Sequence, residues 1–171
     1  FSCAKILTCV SGGADSLALL YVLHGLSVHY KFSLEVVTID HKIRSEEESG
    51  GDAQFVEVIC ASLQPALNCT RVNLEEGEVL KTAFARKKGI EEAARYLRYR
   101  IFDSLAQEKQ INCICTAHNQ NDQIETVLMR FLQGAGTDAL GGIKEERALY
   151  LRPFLAVSRQ EIETWLVNRG L

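Results

Sequence analysis

Short apolar runs alternate with amphipathic segments along this chain of 171 residues. The runs at 4–10, 34–39 and 111–116 are almost continuously apolar, as in strands that are buried on both faces of a sheet. Residues 68–74 and 149–154 predict two further strands. Such strands separated by helices predict an α/β fold, with a parallel five-stranded sheet and helices on both faces in a Rossmann-like three-layer sandwich.

The predicted helices lie between these strands, where apolar residues recur at helical spacing. The first should end at Gly25 and the second before Pro65, and 75–78 should be an exposed loop. Longer helices are expected over 90–105 and 124–132, and Ser158 with Glu161 has the spacing of a capping box before a last helix.

Composition limits the class of protein. The chain is 47% apolar with a net charge of −3, which fits a single globular domain. No apolar run approaches the roughly 20 residues of a transmembrane helix, so we expect no membrane partner. The six cysteines form no CxxC pair and follow no signal peptide, which predicts reduced thiols in a cytoplasmic protein.

A glycine turn follows the first predicted strand and leads into a helix. Glycines let backbone amides approach an anion, and the helix N-terminus adds partial positive charge. The carboxylate of Asp15 would repel phosphate unless a cation lies between them, so we infer a bridging Mg²⁺ ion. The predicted phosphate site consists of Ser11, Gly12, Gly13, Ala14, Asp15 and Ser16.

Other interpretations of this turn are weaker. The chain lacks GxxxxGK[ST] and GxGxxG after its first strand, which disfavours a P-loop NTPase and a dinucleotide oxidoreductase. A plain strand-to-helix turn, with Asp15 complementing the helix N-terminus, is the structural alternative.

A second group of polar side chains follows the fourth predicted strand. If the next helix extends back to His118, then His118, Asp122 and Glu125 lie within about 60° of one another and share one helix face. The alternative is that the two acids only complement the helix dipole. The nearby phosphate turn favours a shared site.

Five segments resemble a known family. The glycine turn is similar to the pyrophosphate loop of the N-type ATP pyrophosphatases, or PP-loop superfamily. Four later segments resemble, in order and spacing, those of the tRNA(Ile)-lysidine synthetases, namely 40–44, 89–99, 116–126 and 151–154. The resemblance covers nearly the whole chain.

The resemblance implies an ATP-dependent carbon–nitrogen ligase that uses Mg²⁺. Such an enzyme adenylates the wobble cytidine of isoleucine tRNA with a CAU anticodon. It then joins free lysine to that base, forming lysidine and releasing AMP and pyrophosphate. The resemblance is also compatible with a homodimer.

The resemblance also implies roles for residues. His41 and Arg44 would contact ATP together with the glycine turn. The implied catalytic residues are Asp15, His118, Asp122 and Glu125, of which Asp15 and Asp122 would hold the metal.

A basic segment at 81–100 carries the expected contact with tRNA. It holds seven cations and only two carboxylates, a local charge of +5. The functional interpretation is contact with RNA phosphates, and the alternative is a solvated helix face. Tyr96 and Tyr99 could stack on bases or pack in the core. The expected contacts are Arg86, Lys87, Lys88, Arg95 and Arg98.

The sequence departs from the family at two places. Lys42 stands where the family usually has glycine, and 119–121 replaces a more common His, Ala, Asp run. We expect residues 1–171 to be a PP-loop ATP pyrophosphatase domain without the family's C-terminal tRNA-binding domains. Alternatives are a PP-loop tRNA thiolase, which typically carries a cluster-binding CxxC pair, and a non-catalytic ATP-binding module.

Overall fold

The computed structural model describes residues 4–42, 46–134, 136 and 140–171. Strands and helices alternate over most of that length. The strands are β1 Lys5–Cys9, β2 Ser33–Asp40, β3 Cys69–Asn73, β4 Cys113–Cys115, β5 Glu146–Arg147 and β6 Tyr150–Leu151. The helices are α1 Ala14–Tyr30, α2 Glu46–Ser62, α3 Glu78–Arg86, α4 Ile90–Glu108, α5 Gln120–Leu132 and α6 Arg159–Val167.

The strands form one mostly parallel sheet of order β3-β2-β1-β4-β6-β5. Central β1 pairs in parallel with β2, where Lys5 faces Ser33, and with β4, where Ile6 faces Cys113. β6 is parallel to β4, and β5 is antiparallel to β6. The carboxyl ends of β1, β2, β4 and β6 therefore meet at one edge, which is the usual place for a ligand in such a sheet.

Helices cover both faces of the sheet. On one face, Leu20 of α1 and Val56 of α2 pack on Val36 of β2, and α6 packs on α1. On the other face, Phe102 and Leu105 of α4 pack on the central strands, and α3 packs on α4. The predicted α/β sandwich is confirmed. No helix in the described part of the chain has the length and apolar character needed to cross a membrane.

The strand count differs from the prediction. The predicted fifth strand shortens to Tyr150–Leu151, and Glu146–Arg147 adds a sixth strand that turns back beside it. Ala148 in the turn has φ +51°, a left-handed conformation that supports the tight reversal. The charged, exposed residues of β5 carry no apolar pattern that would reveal a strand.

Two helix predictions were wrong. α1 does not end at Gly25 but continues to Tyr30, and buried Ser27 donates to the His24 carbonyl across the glycine, which costs roughly 1 kcal/mol in a helix. The predicted loop at 75–78 runs into an unpredicted helix, α3, which begins after Gly77 at φ +74°. α3 buries only Val79 and Ala83, too few positions for a clear helical stripe.

Candidate active site

The glycine turn lies at the carboxyl end of β1. Gly12 has φ +87°, a left-handed conformation that favours glycine, and Gly13 begins α1 in an extended conformation. No described side chain caps this helix N-terminus. Its first amides, beginning with that of Ala14, therefore remain free to bind an anion.

The two serines of the turn have different roles. Ser16 is buried, and its hydroxyl accepts a hydrogen bond from the Ser11 amide at 3.1 Å and donates to the Gly13 carbonyl at 2.8 Å. The Ser16 side chain therefore holds the shape of the turn. Ser11 is exposed, and its hydroxyl lies 3.3 Å from that of Ser16, where a ligand can reach it.

Asp15 lies in the first turn of α1. Its Oδ1 atom is buried and has no hydrogen-bond partner among the described residues. A carboxylate oxygen in that position, beside amides suited to phosphate, fits a hard cation shared with phosphate oxygens. No group of three or more His, Cys, Asp or Glu side chains within the described ranges is placed to hold a metal ion.

The residues after β2 form a second wall of the site. Buried Asp40 pairs with Arg71 at 3.5 Å and accepts a hydrogen bond from the Lys42 amide at 3.0 Å. Lys42 has φ +48°, which explains why glycine is usual at this position. The structure places His41 here, whereas Arg44 lies outside the described residues.

His41 is half-buried, and its Nδ1 atom has no partner among the described residues. Burial lowers the pKa of His41, the Arg98 charge lowers it further, and Asp40 partly opposes both. The imidazole is therefore neutral at pH 7. One of its nitrogens can donate a hydrogen bond to a ligand and the other can accept one.

His118 lies between β4 and α5, outside the helix. Its Nδ1 atom is 2.9 Å from the Thr116 hydroxyl, which fixes the ring. Burial lowers the pKa of His118 to about 4, helped by Arg152, Arg95 and Arg98 and opposed by Asp122. The ring is therefore neutral at pH 7, and the charges of three guanidinium groups act on it.

α5 begins after Asn119, so the predicted extension of this helix to His118 was wrong. The Asn119 side chain caps the N-terminus of α5 by accepting a hydrogen bond from the Asp122 amide at 3.1 Å. Asp122 Oδ2 in turn accepts from the Asn119 amide at 2.9 Å. Asp122 remains close enough to His118 to affect its pKa, but His118 does not share a helix face with the acids. Glu125 is exposed.

The basic segment divides into two parts. Arg95 and Arg98, in the first half of α4, affect the pKa of His118 and therefore lie at the site. Arg86 instead lies 3.7 Å over the ring of Tyr96. Lys87 and Lys88 are exposed in the connection between α3 and α4.

The structure places two further arginines near the site, and the sequence analysis did not predict either of them as a site residue. Arg152, directly after β6, is 6% exposed and donates to the Lys144 carbonyl at 2.7 Å. Arg159 begins α6, and its pKa is raised by its hydrogen bond to Glu163 and then by Asp15 and Asp122. Arg152 lies inside the predicted strand 149–154, and its place in the 151–154 segment that resembles the family was the available signal for that residue.

Comparison with known proteins gives the family. The PP-loop domain model matches residues 1–171. The chain belongs to the PP-loop domain family. Membership in the PP-loop family implies that this domain binds ATP.

Curated relatives of this PP-loop domain are named tRNA(Ile)-lysidine synthase. The protein from Treponema pallidum strain Nichols is 44% identical over 166 residues, which are 97% of this chain and 35% of the relative. The protein from Treponema denticola is 42% identical over 167 residues, 98% of this chain and 36% of the relative. The protein from Caldanaerobacter subterraneus is 37% identical over 98% of this chain and 34% of its own length. The PP-loop chain thus spans about a third of these relatives.

Solved structures support the PP-loop fold. The U34-tRNA thiolase NcsA from Methanococcus maripaludis, solved with its [4Fe-4S] cluster, has a TM-score of 0.74 at 18% identity, covering 98% of this chain and 58% of that one. A predicted subunit of tRNA methyltransferase from Methanocaldococcus jannaschii has a TM-score of 0.53 at 14% identity, covering 96% and 74%.

Proposed function

We propose that this PP-loop domain is the catalytic part of an ATP-dependent ligase that forms lysidine in tRNA. The substrate is isoleucine tRNA with a CAU anticodon, whose wobble cytidine is adenylated and then joined to free lysine. AMP and pyrophosphate leave. The observation that carries this proposal is the 37–44% identity, over nearly the whole chain, to relatives named tRNA(Ile)-lysidine synthase.

The proposed ATP site is the glycine turn with His41. The amides at the start of α1 and the Ser11 hydroxyl would bind the phosphates, and Gly12 allows the close approach of the backbone. Arg44 remains a proposed ATP contact from the family resemblance alone. Asp15 would hold Mg²⁺, with Asp122 as a second candidate ligand. The ion would neutralise charge that develops on the phosphates during transfer.

Neutral His118 can contact the base or the transferred adenylate without adding charge to a site already rich in arginine. The charges of Arg95, Arg98 and Arg152 act on this ring, and these groups can stabilise the negative charge of the adenylate phosphate.

Lysine must lose a proton before its amine can attack the activated carbon, since its usual pKa is about 10.4. Asp122 and Glu125 supply carboxylates on α5 that can bind the ammonium group and accept that proton. Glu125 is exposed and open to an incoming molecule, whereas Asp122 is also engaged at the helix cap.

The proposed tRNA surface includes Arg86, Lys87, Lys88, Arg95 and Arg98. Tyr96 is covered by Arg86, which makes it a poor platform for a base. We also propose a cytoplasmic location and a homodimer. Sedimentation of the full-length protein tests the dimer.

A PP-loop tRNA thiolase is the second candidate, favoured by the fold of the archaeal thiolase. This chain is only 18% identical to that protein. It also lacks the CxxC pair that typically binds a cluster. We therefore propose the ligase.

Mass analysis of isoleucine tRNA with a CAU anticodon tests the proposal. The tRNA is incubated with the full-length protein, Mg-ATP and lysine, and the wobble nucleoside is isolated. We expect a mass gain equal to lysine less one water, with AMP released in equal amount. A gain of sulfur would establish the thiolase instead, and absence of AMP would indicate a binding module.

A further inference from the structure

The Thr116 side chain contacts His118 at the carboxyl edge of the sheet. Thr116 directly follows β4 and is buried, and its amide donates to the Leu151 carbonyl of β6 at 3.0 Å. Its hydroxyl oxygen lies 2.9 Å from His118 Nδ1. Because a β-branched side chain has few rotamers and this backbone is bonded to β6, the hydroxyl has a fixed position against the ring.

The hydrogen bonds available to the Thr116 hydroxyl assign the hydrogen in this contact. The hydroxyl has one hydrogen to donate, and it makes no other side-chain hydrogen bond to a described residue. If the hydroxyl donates to His118 Nδ1, both atoms are satisfied. If Nδ1 instead carried the hydrogen and donated, the buried hydroxyl hydrogen would have no acceptor in the described part of the chain. Buried polar groups are nearly always paired, which favours donation by Thr116.

The other ring nitrogen of His118 then carries the hydrogen. A neutral imidazole has one N–H group, so acceptance at Nδ1 places that hydrogen on Nε2. His118 Nε2 has no hydrogen-bond partner among the described residues, and unlike His41 Nδ1 it is not fully buried. A ligand in the site can therefore reach the Nε2 hydrogen.

The charges that act on His118 favour an anionic oxygen as that ligand. Burial lowers the pKa of His118 to about 4, and the charges of Arg152, Arg95 and Arg98 add to this effect. The ring is neutral at pH 7, and it lies where guanidinium charges attract anions. With Nδ1 occupied by Thr116, the ring has no free acceptor, so it suits a hydrogen-bond donor and not a general base.

We propose that Thr116 is a positioning residue, whose hydroxyl holds His118 with its hydrogen on Nε2 so that the ring donates to a phosphate oxygen of ATP. The proposal rests on the proposed function, because it takes ATP as the substrate that reacts at this site. It gives a role to a residue that itself touches no substrate. Asp122 and Glu125 remain the candidates for accepting the lysine proton.

The tautomer of His118 tests the first step. Long-range proton–nitrogen NMR spectra of the chain with isotope-labelled histidine, recorded at neutral pH, show which ring nitrogen carries the hydrogen, and His118→Ala identifies the signal. We expect the Nε2–H form alone in the unaltered chain and a mixture of both forms in Thr116→Val, which lacks the hydroxyl. Thr116→Ser should restore the single form. An Nδ1–H ring in the unaltered chain, or spectra that Thr116→Val leaves unchanged, would overturn the proposal.

Pyrophosphate release by the full-length protein, supplied with Mg-ATP, lysine and tRNA, tests the consequence for the reaction. Thr116→Val should reduce kcat about 2- to 10-fold, as expected for one displaced hydrogen bond, and change KM for ATP less than about twofold. Thr116→Ser should recover most of the lost rate. Thr8→Val is the matched control and should keep the unaltered rate, since Thr8 is a buried strand threonine whose hydroxyl has no partner among the described residues.

A double variant separates positioning from an independent role of Thr116. In the His118→Ala background, Thr116→Val should cause no further loss of kcat, because the hydroxyl acts through the ring. A further loss of the same size as in the unaltered background would show that Thr116 acts without His118, and would refute the proposal.

These outcomes are distinct from failure of the proposed function. Lysidine formation by the full-length protein, together with an Nδ1–H ring, would keep the ligase and remove the role of Thr116. Pyrophosphate release that depends on Thr116 through His118, without lysidine formation, would keep that role and remove the ligase.

Discussion

Asp122 and Asn119 exchange two hydrogen bonds at the start of α5. Asp122 Oδ2 accepts from the Asn119 amide at 2.9 Å, and Asn119 Oδ1 accepts from the Asp122 amide at 3.1 Å. The same aspartate is a proposed contact of the metal or of lysine. Its structural and chemical roles can be separated by substitution.

Asp122→Ala should lower the free energy of unfolding by about 1 kcal/mol through loss of the cap. Asp122→Asn keeps an oxygen acceptor and should stay within about 0.5 kcal/mol of the unaltered protein. Both variants should lose at least about tenfold in kcat/KM for lysidine formation, which is about 1.4 kcal/mol. Glu161→Ala, at the equivalent position of the α6 cap, is the control that should lose stability alone. Full activity of Asp122→Asn would leave Asp122 with only its capping role.

Asp15→Asn tests the proposed metal ligand with little change of shape. Loss of a ligand worth several kcal/mol should reduce pyrophosphate release about 100-fold or more. The fold should remain, because Oδ1 makes no hydrogen bond to any described residue. Release and thermal unfolding are measured together, with Glu76→Gln, an exposed acid remote from the glycine turn in sequence, as the control. Undiminished release by Asp15→Asn would exclude the proposed role.

The imidazole of His118 should titrate near pH 4 in NMR spectra of the folded chain. An unfolded histidine titrates near 6.5. Between that pH and about 4, the imidazole of His118 is therefore protonated in the unfolded state but not in the folded state. His118 therefore contributes stability above about pH 6.5 that is lost as the pH falls to about 4. The free energy of unfolding should decline less steeply in this range in His118→Gln. Titration near 6.5 in the folded chain would contradict the burial that lowers this pKa.

Neighbouring residues of the glycine turn, Gly12 and Gly13, should respond differently to alanine. Gly12 has φ +87°, so Gly12→Ala should lower the free energy of unfolding by about 1–2 kcal/mol and weaken ATP binding. Gly13 has φ −75°, and an added Cβ would meet only the Ser11 hydroxyl at 3.8 Å. Gly13→Ala should therefore fold with nearly unchanged stability. Equal losses in a denaturant titration would show that backbone conformation is not the deciding factor.

Most of the fold could be predicted because its strands are buried on both faces. The run at 4–10 and the stripe of α4 reflect burial directly, and both lie where the sequence places them. α3 and β5 could not be predicted, since α3 buries two residues and β5 buries none. An element that buries few side chains has no regular pattern of apolar residues, so its sequence does not predict it.

The site was predicted in part for a related reason. In a parallel sheet, the residues that follow each strand lie at the same edge, where the carboxyl ends of the strands meet. Asp15 in the glycine turn after β1 and His41 after β2 could therefore be predicted to lie at that edge. Burial of individual atoms depends on tertiary packing, so the unpaired Oδ1 of Asp15 and the low pKa of His118 had no sequence signal. Arg152 was not predicted as a site residue, although it lies in the 151–154 segment that resembles the family, because its burial depends on tertiary packing.

The sheet ends at β5 with only Glu146 and Arg147. An edge strand offers unpaired backbone groups to which another chain can add, and long, flat, apolar edges favour aggregation. Two exposed charged residues, followed by a left-handed turn at Ala148, leave too short a template for such an addition. The β5–β6 hairpin thus protects this side of the sheet against intermolecular strand exchange.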